Sequence, residues 1–223
     1  MKLNKLLAPI AAAAAMTLLP MAAQAALLIQ ISDGTHTLTV ADGSGMDDAT
    51  DAGIVSYAGS FYGWSLAIGT GSANIDPFDM HLSAIAYGDR TDGQLTIKVT
   101  QTDLVSGGDS MRFAAFGGGS SNGSGMGVTA SWAGYVDDSN AAFGEDSLIF
   151  SHNGFNSPGG SQSVALAGTY SATLVALFDH SNYSRWGNVQ SSLDLSMIPE
   201  PASLGLLGLG LLGVAGTTRR RKG

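Results

Sequence analysis

Leu27-Leu28-Ile29-Gln30-Ile31-Ser32-Asp33-Gly34-Thr35-His36-Thr37-Leu38-Thr39-Val40-Ala41 is the stretch whose reading decides the fold. Apolar and polar residues alternate on both sides of Asp33-Gly34, a dipeptide favoured in two-residue type I′ turns. The stretch therefore predicts a hairpin of two strands, Leu27 to Ser32 and Thr35 to Ala41. The two-residue period returns after Asp92-Gly93, where Leu95, Ile97 and Val99 alternate with Thr96, Lys98 and Thr100 between Gln94 and Thr102. Further strand-like runs are Ile54 to Ile68, Met80 to Tyr87, Met111 to Phe116, Val128 to Val136, Leu148 to His152, Ser163 to Phe178 and Leu193 to Ile198. Nine or ten short runs separated by Gly, Asp, Asn and Ser predict an all-β domain, an antiparallel two-sheet sandwich or jelly roll. Helical periodicity is absent, and residues 26–198 contain one Glu, one Lys and 25 glycines, a composition of strands and turns rather than surface helices. No repeat of 20 to 50 residues stands out.

The chain has 223 residues, enough for one domain or at most two, and no cysteine, which excludes a disulfide scaffold, a thiolate metal site and a cysteine nucleophile. Its net charge of -8 conceals an uneven distribution. Residues 26–198 set Arg90, Lys98, Arg112 and Arg185 against sixteen aspartates and Glu145, a net charge of -13. Such a surface repels phosphate backbones and anionic headgroups, so nucleic acid is excluded as an expected partner.

The six remaining Lys and Arg residues mark the two ends. Lys2 and Lys5 precede an apolar run from Ile10 to Leu19 and the small-x-small triplet Ala23-Gln24-Ala25. This predicts a signal peptide over residues 1–25, read by the secretion translocon and signal peptidase, with cleavage between Ala25 and Ala26. At the other end, Pro199, Glu200 and Pro201 precede an uncharged run from Ala202 to Thr218 and the basic cluster Arg219, Arg220, Arg221 and Lys222. Seventeen residues give about 26 Å of helix, a minimal transmembrane span that five glycines weaken further. The basic tail stays cytoplasmic by the positive-inside rule, which places residues 26–198 across the inner membrane. The prolines keep the segment around Glu200 extended and reachable by a protease.

Those three ordered features at residues 199–223 resemble the PEP-CTERM sorting signal of Gram-negative bacteria, with Ile198 where valine usually precedes the triplet. The resemblance implies an exosortase as partner, removal of the helix and basic tail, and a cell that makes exopolysaccharide. The opening run from Leu27 to Gly34 is also similar to the start of other exported members of that group, a likeness of fold that carries no activity.

Candidate chemistry in the exported domain is sparse. Gly119-Ser120-Ser121-Asn122-Gly123 fits G-x-S-x-G, but Gly125, Met126 and Gly127 follow where a nucleophile elbow needs a helix. The histidines His36, His81, His152 and His180 have no spacing suited to zinc or a triad. Sixteen aspartates offer pairs for glycoside hydrolysis, yet most stand beside Gly, Ser or Asn, where short carboxylates cap turns. Asp42, Asp47, Asp48 and Asp51 form the best calcium candidate, outside the order of an EF-hand loop, and Asp137 with Asp138 a weaker one. Trp64 and Trp132 alternate in phase with core residues, whereas Trp186, with Tyr183 and Arg185, lies in a polar stretch and is the candidate carbohydrate edge. The expectation is a non-enzymatic surface or matrix protein with a structural, adhesive or polysaccharide-associated role in biofilm. The alternatives are a secreted hydrolase of matrix glycans and a calcium-dependent adhesion module.

Overall fold

The computed structural model describes residues 26–73, 78–88, 93–107, 110–121, 128–156, 158–180 and 187–198. Its strands, in chain order, are β1 (Leu27–Ser32), β2 (Thr37–Ala41), β3 (Ile54–Phe61), β4 (Trp64–Ala73), β5 (Asp79–Gly88) and β6 (Gln94–Val105), then β7 (Ser110–Ser121), β8 (Thr129–Asp137), β9 (Ser147–Asn153), β10 (Gly159–Ala165), β11 (Thr169–Asp179) and β12 (Gly187–Ile198). They form two six-stranded antiparallel sheets. The first has the order β2-β1-β6-β11-β8-β9, the second β10-β7-β12-β5-β4-β3.

Alternation in the sequence becomes alternation across each sheet. From the first sheet Ile29, Ile31, Leu95, Ile97, Val99, Leu174, Ala176 and Phe178 point into the interface, all fully buried. From the second, Met80, Leu82, Ala84, Ala86, Val189, Leu193 and Leu195 meet them, also at 1% exposure or less. Trp64 and Trp132 are buried in this core as their phase predicts, and Trp132 Nε1 donates to the Gly154 carbonyl at 2.6 Å. The central pairings are long-range: Val99 lies opposite Leu174 in the first sheet, and Leu193 lies between Gly117 and Leu82 in the second.

Three local readings change. The loop joining β1 and β2 has four residues, because Ser32 pairs with Thr37. Asp33 Oδ1 accepts from the backbone N–H groups of Thr35 (2.8 Å) and His36 (2.6 Å), a side-chain turn that replaces the expected two-residue one. The run from Ile54 to Ile68 reverses at Tyr62-Gly63, both left-handed with φ of 41° and 95°, and becomes β3 and β4. The run from Ser163 to Phe178 divides at Gly168, φ 127°, where the chain passes from β10 in the second sheet to β11 in the first.

Leu174→Ala removes a fully buried side chain at the centre of the first sheet and is expected to cost about 2–5 kcal/mol in urea unfolding. Val105→Ala, at a position 74% exposed, is expected to change stability by less than about 0.5 kcal/mol. Equal effects of the two would contradict the inward and outward assignment.

Candidate functional site

The acidic quartet sits beside the free edge of β3. Asp47 Oδ1 accepts from Ala49 and Ser56 N–H, both at 2.9 Å, and Oδ2 from Gly43 N–H at 3.0 Å. Asp48 accepts from Ala58 N–H at 2.7 Å while its own N–H donates to the Ser56 carbonyl at 3.0 Å. Asp42 accepts from Gly53 N–H at 2.8 Å, and the Asp51 carbonyl accepts from Ile54 N–H at 3.2 Å. The loop thus occupies the Ile54, Ser56 and Ala58 backbone groups on the side of β3 away from β4, its sheet neighbour. Unsatisfied edges of this kind otherwise pair with other chains. Among the described residues no three His, Asp or Glu side chains are grouped so as to hold a metal ion. Asp137 turns into its own loop, where Oδ1 accepts from Ser139 N–H and hydroxyl at 2.8 and 2.5 Å, and Asp138 lies exposed beside it.

Burial pushes the Asp47 carboxyl up, but the three backbone donors from Ser56, Ala49 and Gly43 together outweigh it and hold the group below the usual value. Asp33 is lowered to about 2, chiefly by the His36 backbone N–H and then by the His36 ring, whose Nδ1 is 2.9 Å from Oδ2. The His36 ring stacks on Tyr62 with centroids 3.5 Å apart and planes 8° from parallel. This contact joins the β1–β2 turn of one sheet to the β3–β4 turn of the other, at a Tyr62 that is 62% exposed and left-handed.

The outer faces of the two sheets differ. The segment 138–146 crosses that of the first: Ser171 Oγ donates to the Ala141 carbonyl at 2.6 Å, Asn140 exchanges hydrogen bonds with Asp103, and Lys98 Nζ lies 2.5 Å from Glu145 Oε1. Beneath it the Tyr135 hydroxyl is pushed up by burial and then by the Glu145 charge. A Cβ on Gly144 would overlap the Asp137 carboxylate, so glycine is required where this segment folds back.

The second sheet carries instead a cleft of about 540 Å³ over β7, β12 and β5. Strand register lays out its three rows. Phe116 and Asp194, with His81 next in register behind Asp194, mark one wall; Gly118, Ser192 and Ser83 the floor; Ser120, Gln190 and Ile85 the other wall. His81 Nδ1 lies 2.7 Å from Asp194 Oδ1, and Phe116 is 47% exposed. Among the described residues lining the cleft, Asp194 is the one carboxylate. Sequence reasoning missed this site: its residues come from three distant strands, and each alone resembles an ordinary outward strand position.

Of the G-x-S-x-G match, Gly119, Ser120 and Ser121 belong to β7, with Ser121 at the end of a strand, and Gly119 packs so closely on the Gln190 carbonyl and Trp132 that a Cβ would collide. Tyr183, Arg185 and Trp186, the signal residues Ala23 and Ala25, the motif Pro199, Glu200 and Pro201, the span from 202 to 218, and Arg219, Arg220, Arg221 and Lys222 lie outside the described residues. Ala26 is described, its carbonyl accepting from Thr102 N–H at 3.1 Å, and β1 begins at the next residue. Ile198 ends β12 paired with Arg112, immediately before Pro199 in the sequence.

Asp47→Ala strands three backbone donors and is expected to cost about 1–3 kcal/mol in chemical unfolding. Because the folded Asp33 and Asp47 carboxyls lie below the ordinary value of 3.8, their stabilisation is complete above that pH. It is lost as pH falls toward about 2, where Asp33 titrates in the folded state. Thermal midpoints recorded from pH 6 to pH 2 should fall on this acid limb, and the fall should be smaller in Asp47→Asn. An identical limb in the variant would contradict the role given to Asp47.

The sequence family described as the PEP-CTERM protein-sorting motif matches residues 198–222. No curated protein matches the chain. Among solved structures, the enzymatically active domain of bacteriophage CBA120 tailspike protein 4 aligns at 13% identity over 69% of this chain and 22% of that one, with a TM-score of 0.31. This chain therefore spans about a fifth of that protein's length, and a likeness so low carries no argument about fold or activity. At its C-terminal end the chain carries the PEP-CTERM sorting motif, the mark of an exported exosortase substrate.

Proposed function

We propose that the chain is a β-sandwich delivered to the cell surface or the extracellular polysaccharide matrix, where its role is structural or adhesive rather than catalytic. The observation that carries this reading is the junction at Ile198. The last strand, β12, lies between β7 and β5 and keeps its ladder up to Ile198, and the sorting motif follows with no intervening residue. Cutting within Pro199-Glu200-Pro201 therefore removes none of the described strands and breaks none of their ladder bonds. The same reading is supported by the aspartates that bond the outer edge of β3 and by a net charge of -13 over residues 26–198, which favours solubility outside the membrane.

Replacing Pro199, Glu200 and Pro201 together by alanine is expected to leave a full-length species in the membrane fraction, while the wild-type chain is recovered shorter from the surface or medium. Wild-type and variant chains of the same length and distribution would contradict exosortase processing. Thermal midpoints of the processed and full-length forms should coincide within about 2 °C, since less than about 0.5 kcal/mol is at stake when no strand is lost. A large drop on processing would mean that the tail contributes to the fold.

A further inference from the structure

We propose that the cleft on the outer face of the second sheet binds a segment of an uncharged, polyhydroxylated polymer, a neutral polysaccharide chain. This rests on the surface or matrix role proposed above and gives that role a ligand class and a site. Three observations converge on it.

The first is the chemistry of the lining. Ser83, Ser120, Gln190 and Ser192 present three hydroxyls and one amide that make no hydrogen bond within the described protein, and Asp194 uses Oδ1 on His81 and keeps Oδ2 free. Hydroxyls and amides both donate and accept, which suits the hydroxyl groups of a sugar. The second is the ring of Phe116. It stands directly opposite Asp194 on the neighbouring strand, close enough that one pyranose can rest its apolar face on the ring while a hydroxyl reaches the carboxylate. The third is charge. Asp194 and the acidic body of the domain repel anionic polymers, and among the described residues lining the cleft there is no Lys or Arg.

Topology excludes strand addition by a peptide at this face. β7 is paired on both sides by β10 and β12, β12 by β7 and β5, and β5 by β12 and β4. No backbone edge is open there for strand addition, so recognition falls to side chains. The cleft spans three strands, about 10 Å, and its two walls stand four residues apart along each strand, about 13 Å. Those dimensions accommodate a polymer lying across the sheet, and the size lies within the usual range for ligand sites.

The test uses the processed protein as recovered from the cells that express it, electrophoresed through native gels containing the neutral or the acidic polysaccharide fraction of their matrix, separated by anion exchange. Retardation by the neutral fraction is expected, weakened about tenfold by Phe116→Ala or Gln190→Ala and preserved in Phe116→Tyr. Leu148→Ala, at an exposed position of the other sheet, should migrate as wild type, and all variants should keep the wild-type thermal midpoint. Retardation by the acidic fraction alone, by neither fraction, or to an equal degree in the Phe116 and Gln190 variants would overturn the site. If any of these occurs with a chain trimmed and present in the matrix, the surface role stands without this site; a chain found only at full length in the inner membrane overturns the role itself.

Discussion

Two long-range strand pairings hold everything else in place: β6 with β11 in the first sheet and β7 with β12 in the second. Each joins segments more than 60 residues apart, so loop-closure entropy must be offset by what the pairing buries. The offset comes from Leu95, Ile97, Val99, Leu174 and Phe178 on one side and Phe113, Leu193 and Leu195 on the other, none more than 1% exposed. Hairpins such as β3–β4 and β8–β9 add to this frame at its margins. The same dependence fixes where processing can occur. Because β12 is a central strand, a cut before Ile198 would open the sheet, whereas a cut after it spares every ladder bond among the described strands.

Surface features follow from how each sheet manages its exposed side. The first sheet is covered by the segment 138–146, and its Thr100 and Thr173 hydroxyls bond to each other beneath that layer. Among the described residues no segment covers the second over β7, β12 and β5, where Gly118, Ser192 and Ser83 lower the floor between taller rows. The edge strand β3 is closed by aspartates, which accept its backbone donors and repel a second acidic chain. A protein concentrated at a surface gains from such an edge, because strand-to-strand aggregation is the main hazard of a sandwich.

The sequence was a good guide wherever the signal is local. The alternation in Leu27 to Ser32 and in Gln94 to Thr102 reads directly as β1 and β6, and the phase of Trp64 and Trp132 places both in the core. Non-local facts were hidden. No pattern in Ser163 to Phe178 tells that the chain changes sheets at Gly168, because both halves alternate in the same way. The spacing of Asp42, Asp47, Asp48 and Asp51 reveals a carboxylate cluster but not its direction, and Asp47 and Asp48 face backbone N–H groups of β3. The cleft was illegible for the same reason: Ser83, Phe116 and Ser192 become neighbours only through register. The sorting motif, by contrast, is contiguous and was legible in full.

The central claim is that one intact sandwich is delivered and trimmed at both ends. It is tested most directly by the intact mass and terminal peptides of the protein recovered from envelope and culture medium. The account predicts a species that starts at Ala26 and ends between Pro199 and Pro201. A species that retains residues 1–25, or that still ends at Gly223 outside the membrane, would contradict it.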